Sequence, residues 1–355
     1  MQPRIKRYKK YIENEFAASL LWNQDFKLLN FDKNIRCKLT SKDFSKIIFF
    51  GMGCSAIVAD ILKGFIIDQN IKMTLDVIND YQINYSILGS KIQNKNYIFI
   101  ISSYSGRTPE PILFYKELKE AKSNFICLTS GGKLLSSALR DNIPVIKYCL
   151  RNPDFEYPLF HVPQFLSIIL KFFYDFDLIS SDYFIELQRI SKKISNINLR
   201  TEFIKLQYIA KRIFKSEIIL LADPKWYLIL LKLFKMHLNE IAMISAHRNY
   251  LHEFTHSEVA ILSNPKEKKS ILIVKDNEND FLTRKKIISL KKMFNRNIIE
   301  NKNIFVTEFP IRGNSFLEKF YFSIFRFSLL NLILADMTDT KCRNLIWKSA
   351  MYARH

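Results

Sequence analysis

The sequence predicts an α/β protein built as two successive units, each a mostly parallel sheet flanked by helices. Three observations lead there. Two apolar stretches, Lys46–Gly51 (KIIFFG) and Tyr97–Ser102 (YIFIIS), each run into a turn of small residues and then into a helical pattern, as strand–turn–helix segments of a parallel sheet do. Strand-like and helix-like stretches then alternate up to Tyr148. The alternation resumes at Ser216 with less glycine, which suggests a duplicated fold although the halves share no obvious sequence repeat.

Taken in order, residues 1–45 are expected to be helical in part, with Ile12, Phe16, Leu20 and Leu21 at core-helix spacing. After the strand at Lys46–Gly51 come a helix from Ala56 to Ile66 and a short strand, Met73–Ile78. The strand Tyr97–Ser102 leads into a helix over Pro109–Lys122, whose opening proline is tolerated because the first helical N–H has no partner in any case. Strands at Phe125–Thr129 and Pro144–Tyr148, separated by a helix over Lys133–Arg140, complete an expected five-stranded sheet. An apolar helix, Pro158–Tyr174, closes this unit, and a polar helical region from Ser180 to Phe214 forms the connection, giving domains 1–178 and 179–355. In the second domain the pattern predicts strands at Ser216–Leu221, Ser270–Lys275 and Asn303–Val306. It predicts helices over Trp226–Ala246, Leu282–Phe294 and Ser315–Asp336.

The bulk properties narrow the function. A chain of 355 residues, 48% hydrophobic, has ample core for two globular domains. Its five cysteines (Cys37, Cys54, Cys127, Cys149 and Cys342) are scattered and show no CxxC spacing, which indicates reduced thiols in a cytoplasmic protein and no metal site. The net charge of +20 comes with lysine spread along the chain and heavy use of Ile, Asn, Phe and Tyr, so it does not mark a nucleic-acid surface; only Pro3–Lys10 is a basic cluster. The N-terminus lacks the apolar core of a secretory signal, and the apolar stretches Trp226–Phe234 and Phe322–Ala335 are too short or carry interior charge (Lys232, Arg326), so no membrane partner is expected.

Candidate chemistry begins at the two turns. Gly51, Gly53 and Ser55 follow the first strand; Ser103, Ser105, Gly106 and Thr108 follow the second. Glycine permits close backbone approach, and hydroxyls beside a helix start make a cradle for an anion such as phosphate. Two such turns at one sheet edge point to a site between them. The segments GMGCSAIVAD and SYSGRTPE, followed by TSGGKL at Thr129–Leu134, resemble the sugar-isomerase (SIS) domain, and more narrowly the bifunctional phosphoglucose/phosphomannose isomerase family. The resemblance implies two tightly packed SIS domains with the site in the cleft. It also implies a hexose 6-phosphate substrate, with Ser103, Ser105 and Thr108 on the phosphate and Gly53 and Ser55 bordering the sugar. It implies a homodimer, with neither cofactor nor metal.

Four of the six histidines fall between His237 and His256, and His252-Glu253-Phe254-Thr255-His256 is a literal HExxH. A zincin would place that motif on a helix, whereas Phe254, Thr255 and Ser257 are moderate helix formers and Val259–Leu262 continues as an apolar, strand-like run, so acid–base chemistry is the preferred reading. The family carries a Glu within Asn-Glu-Asn-Ala-Lys and a His within Glu-Leu-Asn-His-Asn-Glu. Here Asn239-Glu240 and Glu253–Glu258 fall at the same separation, which assigns the base to Glu240 and ring opening to His256 by resemblance. Such a pair suits aldose–ketose isomerisation through a cis-enediolate, in which a sheltered carboxylate moves the proton between C1 and C2.

Three positions depart from the pattern. Leu159 stands where the family has an arginine facing the developing oxyanion, a loss of about 2.7–4 kcal/mol of transition-state stabilisation unless Arg151 or Arg248 substitutes. Met243 replaces the lysine of the Asn-Glu-Asn-Ala-Lys motif. The C-terminal segment, which in the family brings a threonine and a lysine to the substrate, offers Thr338, Thr340 and Lys348. The expected function is interconversion of glucose 6-phosphate, and mannose 6-phosphate, with fructose 6-phosphate; the alternative is a catalytically eroded phosphosugar-binding protein.

Overall fold

The computed structural model describes residues 26–31, 46–79, 91–92, 94, 96–149, 158–263, 267–295 and 303–339. They form two compact units that divide between Lys192 and Lys193. Cys37, Arg151, Thr340, Cys342 and Lys348, and the four apolar residues named between Ile12 and Leu21, lie outside the described residues.

The first unit holds a six-stranded sheet of β1 (Phe26–Leu29), β2 (Lys46–Gly51), β3 (Thr74–Ile78), β4 (Tyr97–Ser102), β5 (Phe125–Thr129) and β6 (Val145–Tyr148), in the order β1-β6-β5-β4-β2-β3. Helices α1 (Cys54–Asp68), α2 (Pro109–Glu120) and α3 (Gly132–Arg140) connect successive parallel strands. α4 (Val162–Asp175) follows a 3-10 turn at Pro158–His161. The strands are near-continuous runs of Ile, Phe and Val because helices cover a parallel sheet on both faces. Phe50 stacks on Phe114 with ring centroids 4.4 Å apart, in a core shared with Phe99 and Ile101; each such fully buried side chain contributes roughly 1.5–3 kcal/mol.

One strand was not expected. Phe26–Leu29, within a region read as partly helical, pairs antiparallel with β6 (Phe26↔Tyr148 to Leu29↔Val145) and makes the sheet six-stranded. The polar connection Ser180–Phe214 is two helices, α5 (Asp182–Ser195) and α6 (Leu199–Ile213); the break is fixed by Asn198, whose side chain accepts a hydrogen bond from Thr201 N at 3.1 Å.

In the second unit, β7 (Glu217–Ala222), β8 (Ala246–Tyr250), β9 (Lys269–Lys275) and β10 (Ile304–Pro310) form an all-parallel sheet in the order β10-β9-β7-β8. Its helices include α7 (Lys232–Glu240), the single turn α8 (Leu251–Phe254), α9 (Phe281–Asn295) and α10 (Phe316–Thr338). The order β5-β4-β2-β3 of the first sheet corresponds to β10-β9-β7-β8 of the second, so the two halves share one connectivity.

The expected long helix Trp226–Ala246 is shorter and less regular. It opens with the turn Pro224–Trp226, widens into a π-helical turn at Tyr227–Leu231 and stops at Glu240. Met243 adopts a left-handed conformation (φ 51°) and Ile244 N bonds back to Leu238 O at 2.9 Å, a Schellman-type stop built without glycine. Residues 246–250, the end of the expected helix, are therefore strand β8. Val259–Leu262, read as strand-like, lies in a 3-10 helix at Glu258–Ser263.

Helix α10 is long and apolar enough to cross a membrane by length and composition, but 78% of that stretch is buried inside the fold. Its interior charge is paired: Arg326 Nε donates to Glu202 Oε2 at 3.1 Å, and Arg312 Nη1 to Glu202 Oε1 at 2.7 Å.

Candidate active site

In the first sheet β3 lies on one side of β2, and β4, β5 and β6 follow on the other, so the winding direction reverses between β2 and β4. The carboxyl ends of strands at such a reversal leave a crevice in which ligands bind in open α/β sheets. Gly51 and Ser102 are register partners there, so both small-residue turns leave the sheet side by side.

The first turn brings the start of α1 close to the sheet. A Cβ on Gly51 would lie 3.1 Å from Ser55 C and 3.3 Å from Ser102 O, contacts that only glycine avoids. Gly53 caps α1 with φ 54°, and a Cβ built on it meets nothing within 4 Å, so its outer side is open space. The Ser55 side chain makes no hydrogen bond among the described residues.

The second turn is held more rigidly. Ser103 is 3% exposed and its hydroxyl donates to Thr108 Oγ1 at 3.1 Å, while Ser105 is exposed and its Oγ accepts from Arg107 N at 3.3 Å. Ser103, Ser105 and Thr108 are thus gathered at one turn. The loop after β5 braces them from below. Leu134 N donates to Gly106 O at 2.9 Å, Ser130 N and Oγ donate to Tyr104 O at 3.0 and 2.7 Å, and Thr129 Oγ1 donates to Gly131 O at 3.1 Å. Gly106 (φ 60°) and Gly132 (φ 67°) sit where these loops touch; a Cβ on Gly106 would fall 1.9 Å from Gly131 O. Thr129 and Ser130, absent from the residues assigned by sequence, are supports for the hydroxyl turn, and the Gly-Gly of TSGGKL was their signal.

In the second unit Glu240 is the last residue of α7 and is half-buried. Its neighbour Asn239 accepts a hydrogen bond from Ala246 N at 3.2 Å through its side chain, which ties the helix end to the start of β8. A cavity of about 950 Å³ opens at this amino edge of the sheet, lined in part by Lys215, Met243, Ser245, Lys268 and Thr338. Lys268 Nζ donates to Phe214 O at 2.7 Å, and burial lowers the pKa of its ammonium. His256 lies past the other end of β8, exposed, with its N–H bonded to Glu253 O at 2.9 Å. Five residues of strand, at about 3.3 Å each, separate the two positions, so one chain does not bring the Glu240 and His256 side chains together in this unit.

The HExxH segment is not arranged as in a zincin helix. Only Leu251–Phe254 is helical, His252 Nε2 lies 2.9 Å from Thr283 Oγ1, and no group of three His, Cys, Asp or Glu side chains able to hold a metal occurs among the described residues. Leu159 is buried at 1% exposure in its 3-10 turn. Arg248 is committed elsewhere: its guanidinium lies 4.5 Å from the Tyr227 ring centroid and Nη1 donates to Tyr227 O at 3.3 Å.

Residues 205–341 match the family described as the bacterial phospho-glucose isomerase C-terminal SIS domain. This chain belongs to the phosphoglucose/phosphomannose isomerase family of SIS-domain proteins. A bifunctional phosphoglucose/phosphomannose isomerase of Caldicellulosiruptor bescii is 34% identical over 114 residues, a match that spans 32% of this chain and 32% of that relative. One from Aquifex aeolicus is 23% identical over 83% of this chain and 85% of its own length. Among solved structures, the C-terminal domain of glucosamine-fructose-6-phosphate aminotransferase from Francisella tularensis superimposes with a TM-score of 0.64 at 18% identity, covering 96% of each chain, a likeness of fold.

Proposed function

We propose that the protein is an aldose–ketose isomerase acting on a hexose 6-phosphate, interconverting glucose 6-phosphate, and mannose 6-phosphate, with fructose 6-phosphate. The observation that carries this reading is the pair of glycine and hydroxyl turns at the reversal point between β2 and β4. The phosphate is assigned to Ser103, Ser105 and Thr108, and the sugar to the side bordered by Gly53 and Ser55. Glu240 is assigned as the base that moves the proton between C1 and C2 of the enediolate. His256 is assigned to ring opening by proton transfer to the ring oxygen, and Lys348 to substrate contact. Residues 1–178 are taken as the phosphosugar-binding domain and 179–355 as the acid–base domain of a cytoplasmic homodimer with a place in glycolysis and gluconeogenesis. The names of the matched relatives support an isomerase.

The competing reading, a phosphosugar-binding protein without turnover, is favoured by Leu159, which buries an apolar side chain where the family has a guanidinium. A single experiment separates them. Purified protein given fructose 6-phosphate in deuterated water should incorporate deuterium at C2 of the aldose product, and Glu240→Gln should slow this by about 10²–10⁴, the range for a positioned general base, with affinity little changed. Binding of fructose 6-phosphate without any exchange at C2 would leave the binding-protein reading standing.

A further inference from the structure

We propose that Arg107 supplies the positive charge of the phosphate site and selects for the dianionic ester; this rests on the phosphate reading of the Ser103–Thr108 turn given above. The ligands assigned to that turn are three neutral hydroxyls. A helix start normally adds amide donors and a partial positive charge, but α2 begins Pro109-Glu110-Pro111, so two of its first three residues have no N–H. Glu110 brings a negative charge into the same first turn, and its Oε2 is buried with no hydrogen-bond partner. The hydroxyl cradle is therefore short of donors and stands beside a carboxylate that opposes a phosphate dianion.

Arg107 lies between Ser105 and Thr108 and is exposed. Its backbone N–H is held by Ser105 Oγ, which fixes its Cα within the cradle, while its guanidinium takes part in no ion pair or side-chain hydrogen bond among the described residues. A planar fork of N–H donors at that point can bind two phosphate oxygens at once and offset Glu110. Free hexoses, which lack the dianion, gain nothing from it.

The test is calorimetry with fructose 6-phosphate and with inorganic phosphate on the full chain, comparing wild type with Arg107→Ala, Arg107→Lys and Lys116→Ala. Lys116 is exposed farther along α2 and controls for net charge. Arg107→Ala should weaken both ligands about 10- to 100-fold, Arg107→Lys should recover part of the loss, and Lys116→Ala should change little. Raising the salt concentration should weaken wild type more than Arg107→Ala. Equal affinities for Arg107→Ala and Lys116→Ala overturn the assignment. If the Ser105→Ala/Thr108→Ala double variant is weakened while Arg107→Ala is not, this inference alone fails; wild type that binds no hexose phosphate removes the phosphate reading as well.

Discussion

At the carboxyl ends of β2 and β4 the chain leaves the sheet through glycines and hydroxyls with open space beside them. The equivalent place in the second unit, between β7 and β9, is filled by the protein's own charges. Asp223 and Asp276 follow the two strands directly. Trp226 Nε1 donates to Asp276 Oδ2 at 2.7 Å, and Lys319 Nζ sits 2.9 Å from Asp276 Oδ1 and 2.7 Å from Glu278 Oε2. Asn279 donates to Asp223 and accepts from Asp276 N. Asp276, Asn279 and Lys319 are each at most 5% exposed. One connectivity thus produces two reversal points; in the first the sequence leaves room for an anion, and in the second it satisfies the same edge internally. A shared fold does not imply two shared sites.

The sharpest way to break this comparison is to disable the first edge and look for binding at the second. Ser105→Ala/Thr108→Ala should lower fructose 6-phosphate affinity by about 1.5–3 kcal/mol for each charge-assisted bond lost, leaving no residual saturable phosphate binding in a calorimetric titration. A persistent second site would mean that the β7/β9 edge is open after all.

Next in size is the plug itself. Lys319→Met strands Asp276 without its ammonium in a buried setting and should cost about 3–5 kcal/mol in urea unfolding. Pairing it with Asp276→Leu should recover much of that loss, because the uncompensated charge is gone. A single-variant loss under 1 kcal/mol would show that Glu278, Trp226 and solvent already screen the pair.

Glycine replacements give a smaller, graded test of the open edge. Gly53→Ala meets no atoms and carries only the left-handed backbone cost, about 1–2 kcal/mol. Gly106→Ala has the same strain plus a collision with Gly131 O, so it should lose more stability and most hexose-phosphate binding. Equal thermal shifts for the two would contradict the packing of the β4 and β5 loops.

The pH dependence is the smallest effect. Burial acts to raise the Asp276 carboxyl, but the bonds from Lys319, Glu278 N and Trp226 outweigh it and hold its pKa below the ordinary value. Its contribution to stability is present above the unfolded carboxylate pKa, about 3.9, and is lost as pH falls through the lower folded value. Asp223 shifts the other way, raised chiefly by burial, and favours folding as it takes up a proton in a window just above 3.9. Asp223→Asn should therefore change the acid limb of an unfolding curve in the opposite sense to Asp276→Asn.

Much of this was legible from the residues. The strands at Lys46 and Tyr97, the turns behind them and most helices follow from continuous apolar runs and 3.6-residue periodicity, signals that are local. What escaped was set at a distance. β1 is four residues, FKLL, whose only partner is β6, more than a hundred positions away. β8 reads AHRNY, too polar to announce a strand, and exists because Ile218 and Ala246 bring it into register with β7. The end of α7 was hidden because a methionine, not a glycine, takes the left-handed position. Of the site, the hydroxyl turn was visible as a motif. The bracing by Thr129 and Ser130 and the shortage of amide donors above Arg107 emerge only when the β4 and β5 loops are seen to touch.

The π-helical turn at Tyr227–Leu231 sets a phase. It stands between Trp226, fixed at one edge of the second sheet by Asp276, and Glu240, at the other. An α-helix advances about 100° per residue, so removing one residue from this turn to restore α geometry would swing everything downstream by that angle. Glu240 would leave the face it now occupies while the helix kept its length, its caps and nearly all its hydrogen bonds. The direction in which the proposed base points is thus governed by a single extra residue nine or more positions upstream, at a place that touches no part of the chemistry.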